Sequence, residues 1–174
     1  LGLPADTAAQ IADGLAAAWA PNPPPSAPLA PTRSSQLGWL GIDAAAVDRL
    51  APFVVILPVP TPVNANTAPA EVLLAAIDKL DAGSAAAIVQ RRQGAPMLTL
   101  DELRKRLPAG VESEDSRVGI TSRFFEVYAQ LRLEERVVGE RTIVERRPGG
   151  AGLDIVVVQR ERWSGAATPA DAKP

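Results

Sequence analysis

The sequence predicts an α+β protein in which an all-helical half precedes an antiparallel β-sheet. Helical periodicity and capping signals occupy the chain as far as about Gly110. After the acidic stretch ESEDS, Glu112–Ser116, three segments have the alternation or the apolar runs of strands. We therefore predict a helical domain over residues 1–113, a β meander over 114–163 and a disordered tail over 164–174.

The composition permits a core of ordinary size and removes several kinds of chemistry. The chain has 174 residues, of which 47% are hydrophobic, and a formal net charge of −2 that gives no general attraction to nucleic acid. It has no cysteine, which excludes disulfides and thiolate metal sites, and no histidine, the commonest general base and metal ligand. No apolar run reaches the roughly 18 residues that span a bilayer. We expect a protein that is not an enzyme and has no cofactor.

The first segment predicts a helix followed by a stiff connector. Residues Ala5–Trp19 place apolar side chains four apart from Ile11 onward, with Asp6 or Thr7 as the N-cap. Residues 20–32, APNPPPSAPLAPT, are too rich in proline for a helix or a central strand. We interpret them as a semi-rigid, polyproline-like connector.

The next segment predicts two short helices and a buried extended run. Ser34 or Ser35 begins the first helix, and Gly41 suits its C-terminal turn. Asp43 is expected to cap the second helix, which Pro52 ends. Phe53–Leu57 is continuously apolar, which predicts a buried extended segment.

The stretch PTPVNANTAPAEVLLAAI could be a recognition element, for example for nucleic acid, or a segment that only supports the fold. We expect the amides of Asn64 and Asn66 to bond backbone groups where an extended segment turns into a helix. Thr67 is the predicted N-cap of that helix, and Pro69 falls in its first turn. The apolar face of the helix is predicted to continue to Leu80.

Two further helices follow. The first runs over about Ser84–Gln93. The second begins at a capping box formed by Thr99 and Glu102, with Leu98 and Leu103 at the two positions of a hydrophobic staple.

The C-terminal half predicts three antiparallel strands. FFEVYAQLRLEE, residues 124–135, has a strict period of two, the mark of a strand with one buried face. Glu140–Arg147 and Leu153–Trp163 are the second and third strands, joined by a turn at Pro148–Gly150. The predicted buried face of the first strand consists of Phe125, Val127, Ala129, Leu131 and Leu133.

The helical pair Thr67–Gln93 resembles the helix-hairpin-helix modules of competence-type DNA receptors. Those modules bind phosphate with backbone N–H groups at a glycine-containing hairpin. Here the hairpin Ile77–Asp81 lacks glycine and places Asp78 and Asp81 where phosphate would lie. A solvated helix face, paired in part with Asp101 and Glu102, is therefore the preferred interpretation of the nearby basic residues. Those residues are Arg91, Arg92, Arg104, Lys105 and Arg106.

The acidic loop offers weak calcium candidates. Glu112, Glu114 and Asp115 lie close together, and calcium is bound by clustered oxygens. The loop has neither EF-hand spacing nor a glycine, so an exposed acidic connector is the preferred interpretation.

An ordered set of segments from Ser34 to Leu103 resembles type II secretion system protein K, a minor pseudopilin. The set comprises SSQLGWLGIDAAAVDRLAPFVVILP, VNANTAPAEVLLA, IVQRR and TLDEL, and the later SRFFEVYAQLRLEER also fits that family. The resemblance implies a pilin-like antiparallel sheet that packs on an N-terminal hydrophobic helix, with a large inserted helical domain. It implies no catalysis.

The same resemblance implies a location and partners. Such proteins are periplasmic, are anchored in the inner membrane of Gram-negative bacteria by the N-terminal helix, and cap the pseudopilus tip with minor pseudopilins H, I and J. The anchor helix is absent from this sequence. Some members carry an Asp-rich, calcium-associated segment after the first helix. Residues 20–32 occupy that place here without a carboxylate, so the resemblance does not extend calcium binding to them.

Overall fold

The computed structural model describes residues 1–4, 6–149 and 152–166, and it confirms the α+β class. Helices come first along the chain, and a three-stranded antiparallel sheet follows near the C-terminus. The chain divides into two compact units, of which the first is Leu1–Val118 and the second begins at Gly119. We call them the helical unit and the sheet unit.

The helical unit contains a 3₁₀-helix at Ser34–Leu40, five α-helices and one short strand. The α-helices are α1 (Thr7–Ala18), α2 (Ala44–Leu50), α3 (Ala70–Ala76), α4 (Ala82–Gly94) and α5 (Leu100–Arg106). Strand β1 is Val63–Asn64, and it pairs with β2, Val118–Gly119, where the two units meet in the sequence. None of the described helices is long and apolar enough to cross a membrane.

The first core of the helical unit lies between α1, the 3₁₀-helix and α2. Gly41 ends the 3₁₀-helix with φ of 81°, the left-handed conformation that glycine favours. The Asp43 carboxylate accepts a hydrogen bond from the Ala46 N–H, which confirms the predicted cap of α2. The residues buried in this core are Leu37, Leu40, Ile42, Ala46, Val47 and Leu50.

The prediction of a buried extended segment at Phe53–Leu57 is wrong. These residues form no strand, and Val55 is exposed. Val54 and Ile56 do pack against the first core, so alternate side chains of the run are covered. A continuous apolar run indicates burial on both sides only where a second layer covers it.

Thr67 is not the N-cap of α3, contrary to the prediction. The Asn64 carbonyl accepts the N–H groups of Thr67 and Ala68, so these residues form a turn before the helix. Pro69, with ψ of 165°, is the N-cap instead, and α3 begins at Ala70. The helix is therefore seven residues long.

The capping box at α5 is present in altered form, and the staple is wrong. Thr99 Oγ1 accepts from the Glu102 N–H at 3.2 Å, and Glu102 Oε2 accepts from the N–H of Leu98 at 2.8 Å. Leu98 is 77% exposed, so it cannot pack against Leu103 as a staple would. Met97, one residue earlier, is buried in its place.

The sheet unit is a three-stranded antiparallel meander in the order β3-β4-β5. The strands are β3 (Phe124–Leu133), β4 (Arg136–Gly149) and β5 (Gly152–Ala166). A register shift between Ile143 and Val144 leaves Val158 of β5 as a bulge.

The strands β4 and β5 are longer than predicted. Pro148 and Gly149 belong to β4, although they were predicted as part of a turn with Gly150, which lies outside the described residues. Ser164–Ala166 belong to β5, so the predicted disorder is wrong for them, and residues 167–174 lie outside the described part of the chain.

The prediction of a buried face on β3 is also wrong. Beyond Phe124 every residue of β3 is exposed, although the apolar residues do alternate along one side. Among the sheet residues whose burial the structure describes, the buried ones lie on the central strand, where neighbours flank them on both sides. They are Val137, Gly139, Thr142, Ile143 and Glu145.

Candidate functional site

Asn66, in the stretch PTPVNANTAPAEVLLAAI, links two distant segments of the chain through its side-chain amide, and we call this pair of hydrogen bonds the asparagine clamp. Asn66 Nδ2 donates to the Met97 carbonyl at 2.8 Å, and Asn66 Oδ1 accepts from the Met97 N–H at 2.8 Å. One side-chain amide thus satisfies both backbone groups of a buried residue 31 positions away. This geometry holds the approach to α5 against the segment before α3.

Two further contacts fix the same loop. Asn64 Oδ1 accepts from the Asn66 N–H at 2.9 Å, an Asx turn. Arg92, on α4, donates to the carbonyls of Ala65 and Ala68 at 2.7 and 2.5 Å. The loop is therefore held by backbone contacts on several sides, and sequence analysis missed the part of Arg92 because its partners lie 24 to 27 residues away.

The turn between α3 and α4 is built without glycine. Lys79 has φ of 62°, a conformation more usual for glycine. Asp81 caps α4 by accepting the Ser84 N–H at 2.9 Å and the Ser84 hydroxyl at 2.6 Å. A carboxylate thus occupies the N–H groups that a phosphate would need.

Acid should weaken the α4 cap. The Ser84 hydroxyl and N–H lower the pKa of Asp81 below its ordinary value of 3.8. Because the pKa of Asp81 is lower in the folded than in the unfolded state, its ionised carboxylate stabilises the fold above about pH 4. This stabilisation is lost as the pH falls through the folded-state pKa. We expect Asp81→Asn, which keeps a capping side chain, to be less stable than wild type at pH 7 and to approach it near pH 2. Urea denaturation across that range measures the difference; a constant difference would contradict the assignment.

The predicted basic patch is largely engaged in internal contacts. Arg104 binds Asp101 at 2.7 Å and Asp115 at 2.8 Å, and Arg106 donates to the Ala95 carbonyl. Because Arg92 donates to the carbonyls of Ala65 and Ala68, three of the predicted patch residues have backbone or carboxylate partners. This arrangement is a poor phosphate-binding surface.

The carboxylates of the acidic loop, Glu112, Glu114 and Asp115, do not converge on a common point in the structure. Asp115 accepts both of its bonds from Arg104, at 2.8 and 2.9 Å. Among the described residues no three acidic side chains are arranged to hold a metal ion. An open pocket of about 430 Å³ lies beside the loop, and charges of both signs line it. They are Asp78, Lys79, Glu112, Glu114 and Arg117.

One side of the meander carries a row of large apolar side chains that are exposed. The register places the odd-numbered residues of β3 on the same side as the even-numbered residues of β4. On β5 that side holds Arg160 and Arg162 and, across the bulge, Val157 and Ile155. We call this side the apolar face. Its large side chains are 40 to 73% exposed, and a contiguous surface of this kind marks an interaction site. They are Phe125, Val127, Leu131, Leu133, Val138, Ile155 and Val157.

The apolar face also carries an ion cluster. Glu140 binds Arg160 at 3.1 Å and Arg162 at 2.5 Å, and it accepts the Thr142 hydroxyl at 2.9 Å. The hydrogen bond from Arg162, followed by that from Thr142, lowers the pKa of Glu140, so this carboxyl is charged at neutral pH. Sequence analysis missed the cluster. A signal for it was present, because Arg160 and Arg162 are two residues apart on one strand and therefore lie on the same side of the sheet.

The opposite side of the sheet pairs its charges closely. Arg141, on the central strand, lies between Glu126 of β3 and Glu161 of β5. Glu145 is buried and binds Arg123 at 2.9 Å and Arg147 at 2.5 Å. The hydrogen bond from Arg147 lowers the pKa of Glu145.

Comparison with known proteins places the helical unit in a family. The family model for type II secretion system protein K matches residues 63–121, which include the asparagine clamp, α3, α4 and α5. The curated type II secretion system protein K of Pseudomonas aeruginosa is 31% identical over 132 residues, covering 75% of this chain and 38% of that relative. The chain belongs to the type II secretion system protein K family.

Proposed function

We propose that this chain is the periplasmic part of a minor pseudopilin that caps the tip of the type II secretion pseudopilus. Membership of the protein K family supports the role in secretion. The protein is non-catalytic and works by assembling with minor pseudopilins H, I and J, so that the pseudopilus is initiated and protein is exported across the outer membrane.

The exposed apolar face of the sheet is the observation that carries the proposal. Leu131 and Leu133 are 71 and 73% exposed, although they lie on a strand with strict alternation. A sheet with one apolar face requires a second layer to bury it. In a pilin-like protein that layer is the N-terminal helix, which also anchors the protein in the inner membrane before assembly.

The helical unit is then the domain inserted into the pilin-like scaffold. Helix caps and the asparagine clamp satisfy backbone groups within this unit. Large apolar side chains on its surface are available to partners. The four with the largest side chains or the greatest exposure are Trp19, Leu29, Trp39 and Leu98. Trp residues at such positions are frequent anchors of protein interfaces.

Reconstitution tests the assembly. We expect the full-length protein, produced together with minor pseudopilins H, I and J of the same organism, to purify as one complex. Size-exclusion chromatography with light scattering measures its mass. Failure to associate with any of the three would contradict the proposal.

A secretion assay tests the apolar face. In a strain that lacks its own protein K, we expect the full-length protein with Leu131→Asp to lose most export, because a carboxylate is placed within the apolar layer. Arg132→Asp, on the opposite side of the same strand, is the matched control and should keep export. Equal export by both variants would show that the face has no such layer.

The alternative is a nucleic-acid-binding protein of the helix-hairpin-helix type. The capped α4 N-terminus and the internally bound arginines weigh against it. We expect fluorescence anisotropy with duplex DNA at low salt to show no binding tighter than about 100 μM, the weak end of non-specific affinity. Micromolar binding that falls steeply with salt would favour the alternative.

A further inference from the structure

We propose that the helix covering the apolar face carries two carboxylates, about one turn apart, that lie opposite Arg160 and Arg162. The inference rests on the proposed function, because it describes the helix that the pilin-like scaffold places in front of this sheet. The occupant is thus the N-terminal helix of the same polypeptide, with an apolar stripe and an acidic flank.

The width of the sheet suits a single helix. Three strands about 4.8 Å apart present a face roughly 14 Å wide, and a helix with its side chains is about 10–12 Å across. The apolar side chains lie along the whole of β3, at Val138 and Val144 of β4, and at Ile155 and Val157 of β5. A helix along β3 and β4 would cover them and leave one flank above the arginines of β5.

The charges of the two sides of the sheet differ. On the apolar face the described strands carry four arginines and one glutamate, which are Arg136, Arg146, Arg160, Arg162 and Glu140. The opposite side carries three arginines and four carboxylates, which are Arg132, Arg141, Arg147, Glu126, Glu145, Asp154 and Glu161. Only the apolar face has a surplus of positive charge.

One unit of this surplus lies in the ion cluster of Glu140, Arg160 and Arg162. Arg160 and Arg162 both bind Glu140, so a single carboxylate balances two guanidinium groups. Their side chains remain 48 and 67% exposed. Covering them with an uncharged apolar helix would remove water from an unbalanced charge, which is unfavourable.

The spacing of the two arginines specifies the spacing of their partners. Arg160 pairs across the sheet with Thr142 and Arg162 with Glu140, so the two lie two residues apart, roughly 6.8 Å along the strand. Residues four apart on a helix are about 6 Å apart along its axis. Carboxylates at positions i and i+4 therefore match the two guanidinium groups.

Apolar residues lie on both sides of this ion cluster. Leu131 pairs with Val138 on one side of it, and Val144 pairs with Phe125 and Val157 on the other. The covering helix therefore has apolar residues in the turns before and after the carboxylates. A uniformly apolar transmembrane sequence would not satisfy this pattern, whereas an amphipathic continuation of the anchor helix would.

Three synthetic 21-residue helical peptides test the charge pattern in trans. All have the same leucine stripe, and two flank positions four apart hold Glu, Gln or Lys. With the full 174-residue chain at low salt, we expect the Glu peptide to bind about fivefold more tightly than the Gln peptide, and the Lys peptide most weakly. Isothermal titration calorimetry measures the three dissociation constants.

Charge reversal supplies the control. In the double variant Arg160→Glu with Arg162→Glu we expect the order to invert, so that the Lys peptide binds most tightly. Arg132→Glu, on the opposite side of β3, should leave the original order unchanged. Circular dichroism checks that each variant is folded, and the single variant Arg162→Glu, whose side chain is the more exposed, serves if the double variant is not.

The outcomes separate this inference from the proposed function. Equal binding of the Glu and Gln peptides would overturn the acidic flank and leave the pseudopilin role intact, since that role is tested by assembly with H, I and J. Binding of none of the peptides would also overturn the inference. So would binding to vesicles with anionic lipid in preference to every peptide, because the face would then be a membrane-contact surface.

Discussion

Asn66→Ala is expected to lower the free energy of unfolding of the helical unit by about 2–3 kcal/mol. The substitution removes two hydrogen bonds to the backbone of Met97, each contributing about 1 kcal/mol. It also leaves the N–H and carbonyl of a buried residue without their partner, which adds a desolvation cost. Urea denaturation followed by circular dichroism at 222 nm measures the change.

Two neighbouring substitutions make this test specific. Thr67→Ala should cost less than about 0.5 kcal/mol, because the Thr67 hydroxyl only reaches the Asn64 carbonyl at 3.4 Å and does not cap α3. Asn66→Asp keeps an acceptor for the Met97 N–H but sets a carboxylate oxygen against the Met97 carbonyl, so it should be no more stable than Asn66→Ala. A Thr67→Ala variant as unstable as Asn66→Ala would show that the turn, and not the clamp, holds the loop.

Elements with a local cause were predicted well. The cap at Asp43 and the left-handed Gly41 depend on residues within three positions, so the sequence contains the complete signal. Thr67 failed for a local reason as well. The Asn64 carbonyl accepts the N–H groups of Thr67 and Ala68, so the chain makes a turn there and the helix begins later, and single-residue capping preferences do not include that turn.

Long-range contacts could not be predicted in the same way. Asn66 was expected to bond backbone groups, but nothing in a local window identifies Met97 as its partner. Arg92 was interpreted as part of a solvated face, although it binds carbonyls two elements away. Such contacts have no sequence period, because they depend on how helices pack and not on how each one forms.

The sheet shows a different limit of sequence reasoning. Alternation in β3 correctly predicted a strand and an apolar side, but it does not say which layer covers that side. Leu98 is a similar case, since a staple pattern was present and the side chain is exposed. In both cases the apolar residues identify a surface that needs a partner, and that surface is the basis of the proposed function.

Gly139→Val is expected to lower the free energy of unfolding of the sheet unit by about 2 kcal/mol and to move the Trp163 indole. Gly139 of the central strand β4 pairs with Trp163 of β5, and a Cβ built on Gly139 would lie 2.1 Å from Cζ2 and 2.2 Å from Cε2 of the indole. The ring must therefore leave the strand surface and lose its packing, an effect larger than the β-propensity that valine adds. With Trp19 and Trp39 replaced by phenylalanine, Trp163 fluorescence reports both the unfolding midpoint and a red shift in the folded state.

Gly165→Val is the matched control for this substitution. Gly165 lies two residues after Trp163 on the same side of β5, and a Cβ there meets nothing within 4 Å, so its stability should stay within about 0.5 kcal/mol of wild type. In a Trp163→Ala background, with unfolding followed by circular dichroism, Gly139→Val should cost nothing further, because the colliding ring is gone. An equal cost in the presence and absence of the indole would show that β4 requires glycine for its backbone. The close approach of Trp163 would then be incidental.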